Sequence, residues 1–149
     1  MLEEKESWEQ KVEKRSQFRI LIVSEKVEIS VSMSETLEAM GCESLGCVFD
    51  GIEAVRVFEQ VGYDLIFMSL ELSNMDGFEV TRRIREFEKG LGAVNRARII
   101  GMSSFYRKED VEDLCLEVGM DGFFRKPIEV GDLARILESC KKPGGSCEK

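Results

Sequence analysis

Apolar residues recur along the chain in short unbroken runs, and the stretches between them carry apolar positions at helical spacing. "FRILIV" (18–23), "SLGCVF" (44–49), "DLIFMS" (64–69), "ARIIGMS" (97–103) and "DGFF" (121–124) read as five strands. Continuous β-branched and aromatic runs of this kind suit strands buried on both faces. Residues 28–40 place Ile29, Met33, Leu37 and Met40 on one helical stripe, and Gly41 stops it. Asp50 is placed to cap a helix over 51–61 with Val55 and Phe58 inward. Further helices are predicted over 77–88 (Phe78, Ile84, Phe87), 107–118 (Val111, Leu114, Cys115, Val118) and 129–139 (Val130, Leu133, Ile136, Leu137). "GLGAVN" (90–95) reads as a loop. Residues 1–17 are charged, with Trp8 and Val12 four apart, and read as a short solvated helix or tail. Residues 140–149, with Pro and two Gly, read as a disordered tail after a single domain over 18–139.

Strands alternating with helices imply an α/β domain whose parallel sheet is covered on both faces. Ligand chemistry in such a sheet lies at the carboxyl ends of the strands, at the topological switch point. That points to Ser24 and Glu25, to Ser69, to Ser103 and Ser104, and to the turn Arg125, Lys126 and Pro127.

Composition narrows the chemistry. The 149 residues suit one domain, and a net charge of −8 argues against nonspecific binding to a nucleic-acid backbone. No apolar run is long enough for a membrane span, and the charged N-terminus is not a secretory signal, so a cytoplasmic or nuclear protein is expected. The five cysteines include no C-x-x-C pair. Reduced thiols are therefore expected, with Cys115 and Cys47 packed as small hydrophobes. Histidine is absent, which removes Ser-His-Asp nucleophiles, histidyl metal sites and a phosphohistidine intermediate.

The segments "ILIVSEK", "YDLIFMSLELSNMDGFEVTRRIRE", "ARIIGMSS" and "CLEVGMDGFFRKPIEVGDL" together resemble the receiver domain of two-component response regulators and hybrid histidine kinases. The likeness covers about residues 18–139 and implies a flavodoxin-like (βα)5 sheet with strand order 2-1-3-4-5. Receivers take a phosphoryl group from phosphohistidine onto an aspartate that ends the third strand, beside Mg²⁺ held with two acids that end the first. Carried over, the acceptor position is Ser69, the acidic pair is Ser24 and Glu25, the phosphoryl contacts are Ser103 and Lys126, and the switch aromatic is Phe123. The peptide before Pro127 is expected to be cis. The start with Met favours a stand-alone chain over a piece of a hybrid kinase, while the long 90–95 connection points the other way.

This chain departs from the family pattern at Ser69, at Ser24, and at Ser73, where proline is usual. A serine hydroxyl is neither an ionised nucleophile nor a charged metal ligand, and it needs a base within reach. Only Glu25 remains of the usual acids, with Glu71 as a weak substitute, so Mg²⁺ binding is expected to be lost or weak and no cofactor is expected. A non-enzymatic pseudo-receiver follows, acting through protein–protein contacts. The implied partners are a histidine phosphotransfer protein or histidine kinase, met through the first helix (Ile29, Met33, Met40), or a second copy of the chain. Lys126 is expected to pair permanently with Glu25 or Glu71, and Ser103 to cap the helix that follows it. The alternatives are an atypical phosphoacceptor modified at Ser69, or a small nucleotide or flavin binder. The absence of glycine after the first strand, in "VSEKVEIS", counts against the last.

Overall fold

The structure is a computed structural model that describes residues 17–92 and 96–140. The expected N-terminal helix and C-terminal tail lie outside the described residues. Strands β1 (Arg19–Val23), β2 (Ser44–Val48), β3 (Leu65–Ser69), β4 (Arg98–Ser103) and β5 (Gly122–Arg125) alternate with helices α1 (Val27–Ala39), α2 (Gly51–Val61), α3 (Gly77–Leu91), α4 (Lys108–Val118) and α5 (Val130–Ser139). The sheet is parallel throughout, in the order β2-β1-β3-β4-β5, as expected. No helix among the described residues is long and apolar enough to cross a membrane.

The period of two along each strand sends alternate residues into two cores. Leu21, Ile66, Met68, Ile99 and Phe123 face a core closed by Ala54, Phe58, Val80, Ile84, Val111 and Cys115 of α2, α3 and α4. Ile20, Ile22, Phe67, Ile100 and Met102 face the other, closed by Met33 and Leu37 of α1 and Leu133, Ile136 and Leu137 of α5. β3 sits at the centre of the sheet, and every one of its residues is buried.

Several local expectations change. α3 runs three residues further than predicted, to Leu91, where left-handed Gly92 ends it. Phe49 lies beyond β2 and is exposed, as are Leu114 and Val130, which the helical stripes placed inward. Met33 is turned into the core rather than offered to a partner. Cys47 is exposed on the edge strand, its Sγ 3.4 Å from Ser34 Oγ, whereas Cys42, Cys115 and Cys140 are buried. Burial, with Glu112 adding to it, pushes the Cys115 thiol up to about 11.

The "MDG" turn ties α3 to the end of β3. The Asp76 side chain caps α3 by accepting from the Glu79 N–H at 2.9 Å. The Gly77 N–H donates to the Leu70 carbonyl at 3.0 Å. A Cβ at Gly77 would come within 2.3 Å of the Ser69 carbonyl oxygen. A Gly77→Ala variant is therefore expected to lose about 1–3 kcal/mol, because backbone rather than a flexible side chain must yield. The urea midpoint measures it.

Candidate functional site

Parallel register brings four strand ends to one edge. Val23 of β1 pairs with Met68 of β3, Ser69 with Met102, and Ser103 with Arg125. Ser24, Ser69, Ser103 and Lys126 follow or end those strands, so the polar residues scattered in sequence meet around the β1/β3 switch point. Ser24, Ser69 and Ser103 are buried, while Glu25 and Glu71 stand on exposed loops. The Lys126–Pro127 peptide is cis, as expected.

Ser69 is only 1% exposed, and its Oγ accepts a hydrogen bond from Lys126 Nζ at 2.6 Å. Ser24 Oγ accepts from the Lys26 N–H at 3.2 Å and stabilises the turn into α1. Glu25 Oε2 accepts from the Ser73 N–H, which draws the first-strand loop onto the β3–α3 loop. The position where proline is usual thus uses an N–H that proline lacks. Ser103 Oγ donates to Glu71 Oε2 at 2.6 Å and accepts from the Phe105 and Tyr106 N–H groups at 2.9 and 3.1 Å. It therefore organises the β4–α4 loop rather than capping α4, whose N-cap position is Arg107. Phe123 is 1% exposed and packed inward with the α2–α3–α4 core.

The expected ion pair is not formed. Among the described residues Lys126 makes no ion pair with Glu25 or Glu71. Its ammonium is directed at the Ser69 hydroxyl instead, because Glu25 and Glu71 are each held by a nearer donor. Burial holds Lys126 below the usual lysine range, Glu71 opposes that shift, and Lys26 adds to it. In the unfolded chain Lys126 titrates as an ordinary, solvated lysine. Between the lower folded value and the ordinary one, the unfolded chain binds more protons, so stability rises with pH through this alkaline window and is insensitive to Lys126 below it. A Lys126→Met variant should lose that rise. At neutral pH it should stay within ~1 kcal/mol of the natural chain, since it forfeits one hydrogen bond and escapes a desolvation cost. Thermal unfolding across pH measures both.

Two features at this edge escaped the sequence reading. Phe105 and Tyr106 form an edge-to-face pair with centroids 5.3 Å apart, and Phe105 is 76% exposed. Adjacent aromatics inside the polar stretch "SSFYRKED" were the available signal. A groove of about 300 Å³ also runs between α1 and the β5–α5 loop, with Lys126 in its wall. It arises only from packing and has no local signature. Among the described residues no group of three or more His, Cys, Asp or Glu side chains is placed to hold a metal ion.

The model of the response regulator receiver domain matches residues 20–138. Hybrid signal transduction histidine kinase L of Dictyostelium discoideum is 34% identical over 130 residues, which are 85% of this chain and 7% of that kinase. Probable histidine kinase 2 of Oryza sativa subsp. indica is 38% identical over 103 residues, 66% of this chain and 9% of that one. This chain thus spans less than a tenth of either relative. Among solved structures, the complex of the Saccharomyces cerevisiae histidine phosphotransfer signaling protein Ypd1 with the receiver domain of Ssk1 matches with TM-score 0.73 at 25% identity, covering 81% of this chain and 86% of that one. The receiver domain of sensor histidine kinase PA1611 of Pseudomonas aeruginosa, with magnesium coordinated in its active-site cleft, matches with TM-score 0.69 at 32% identity, covering 83% and 96%.

Proposed function

The chain belongs to the response regulator receiver domain family, and on that premise we propose that it is a pseudo-receiver that binds a signalling protein without taking its phosphate. The observation that carries this reading is the Lys126–Ser69 contact of 2.6 Å. An ammonium group and a neutral hydroxyl stand where an anionic nucleophile is required. The residues also do not fit Mg²⁺, which asks for a rigid octahedral shell anchored by carboxylates. Ser24 and Ser69 are neutral, and both nearby carboxylates already accept from the chain itself, Glu25 from Ser73 and Glu71 from Ser103. No catalytic step is assigned to this pocket.

A non-enzymatic module must act through its surface. Around the strand ends Val27, Val31, Phe49, Ile52 and Phe105 are all exposed. They present an apolar rim at the mouth of a pocket that reacts with nothing, and aromatic and aliphatic anchors of this kind dominate interface energetics. The partner proposed is a histidine phosphotransfer protein, supported by the likeness to a receiver solved with one. Self-association through α4, which exposes Leu114 and Leu116 on different faces of the helix, is the second contact proposed. We further propose that residues 18–139 form the module and that it works inside the cell.

The test is a titration of the chain with a purified phosphotransfer protein. Saturable binding is expected, weakened at least ~10-fold by Val27→Asp with Val31→Asp. Equal affinity of the natural and doubly substituted chains would exclude this face. A second reading, phosphorylation of Ser69 itself, is favoured by the nearness of Lys126, whose ammonium would pair with the phosphate. It is opposed by the burial of Ser69.

A further inference from the structure

The pseudo-receiver reading leaves the groove between α1 and the β5–α5 loop unassigned. Its floor and sides are apolar, formed by Met33, Met102, Ile128 and Leu133. At about 300 Å³ it sits at the small end of the ~300–1,000 Å³ range of small-molecule sites, and it has their composition: a mostly apolar lining with a few polar groups. One of those groups is Lys126, half-buried in the wall. An ammonium has three N–H donors. Among the described residues a single acceptor, Ser69 Oγ, uses one of them. Glu71 acts on this half-buried cation without forming an ion pair with it, and a carboxylate delivered by a ligand would add the direct contact that offsets its desolvation. The Ser32 and Ser104 hydroxyls also line the groove and can share such a group.

From this charge complementarity we infer that the groove binds a small apolar carboxylate, its anionic end toward Lys126 and its apolar body against Met33, Ile128 and Leu133. Phosphate and other compact anions would leave the apolar wall unused. A neutral lipid or alcohol would leave the ammonium unpaired. Glu28 also lines the groove and is exposed, so it disfavours an anion there. It provides a second handle on the charge.

The experiment titrates the full chain with octanoate, octanol and octylammonium, followed by calorimetry and by methyl resonances of Ile29, Ile128 and Leu133. Octanoate should saturate one site and shift those methyls. Octanol should bind at least ~10-fold more weakly, as expected for loss of a charge-assisted contact. Lys126→Met should erase the preference for octanoate over octanol, and Glu28→Gln should tighten octanoate. Glu28 is exposed, so that variant keeps the fold and serves if Lys126→Met does not. Absence of saturable octanoate binding, octanol binding as tight as octanoate, or a preference untouched by Lys126→Met would each overturn the assignment. No phosphotransfer protein enters these measurements, so their failure and failure of the pseudo-receiver reading are separately visible.

Discussion

A Ser24→Asp/Ser69→Asp double variant is expected to bind Mg²⁺ and to gain close to one phosphoryl group per chain from acetyl phosphate, where the natural chain gains none. The scaffold needed for that recovery is present. The strand ends are in register, Ser103 and Lys126 flank position 69, and the Lys126–Pro127 peptide is cis. What is missing is charge. Two added carboxylates give a divalent ion its anionic shell beside Glu25, and the one at position 69 also meets the Lys126 ammonium now directed at Ser69 Oγ. Outer-shell partners of a metal alone contribute about 10–100-fold in affinity. Direct ligands should contribute more, so the double variant should bind Mg²⁺ more than ~100-fold tighter than the natural chain. Calorimetry reads the metal, and intact mass reads the phosphoryl group. Single substitutions should recover little, because either leaves the ion short of a charged ligand. Recovery by neither single nor double variant would mean that the loops, not the two serines, disable the pocket.

The largest stability effect is expected far from this pocket, at Glu88. Its side chain is 3% exposed, yet it carries a carboxylate. Glu88 Oε2 accepts from the Ala97 N–H at 2.9 Å, and Oε1 accepts from Arg85 Nη1 at 2.8 Å. Arg85 also donates from Nε to the Gly119 carbonyl at 2.9 Å and from Nη2 to Asp121 at 3.0 Å. Asp121 in turn accepts from the Ile99 N–H at 2.9 Å. This network fastens the end of α3 to the start of β4 and to the turn before β5. Glu88→Ala removes one of two carboxylate partners from the mostly buried Arg85 guanidinium and orphans the buried Ala97 N–H, which together should cost about 3–5 kcal/mol. Glu88→Gln keeps the shape and an acceptor for the Ala97 N–H and should cost less. Urea unfolding distinguishes them. Equal, small losses for both variants would show that the network is solvated and contributes little.

The elements were legible where one local rule sufficed. "RILIV" and "LIFMS" are continuous apolar runs, so they read as buried strands, and Asp50 read as the cap it forms on the next helix, whereas the Asp76 cap emerged only in the structure. The strand order and the cis peptide came from the resemblance rather than from spacing. Side-chain pairing at the site was not legible, because it depends on which donor is nearer in space. Glu71 meets a hydroxyl 32 residues away and Lys126 meets one 57 residues away. Opposite charge favoured a Lys126–carboxylate pair, but the loop geometry gave those carboxylates to Ser73 and Ser103 instead. The α1 stripe was found correctly but read as a partner surface. The sheet beneath it takes Met33 and Leu37, and Val27 and Val31 are left outside. Nor did "RRIREFEKG" mark Glu88 as buried among exposed charges, since only its position over the β4 entrance distinguishes it.

The central claim is that position 69, as a neutral alcohol beside an ammonium, cannot receive a phosphoryl group. Its most direct test is the intact mass of the natural chain after incubation with Mg²⁺ and a phosphotransfer protein carrying phosphohistidine. The account predicts an unchanged mass, with the phosphate retained on the partner or lost to water. One added phosphoryl group mapped to Ser69 would contradict it.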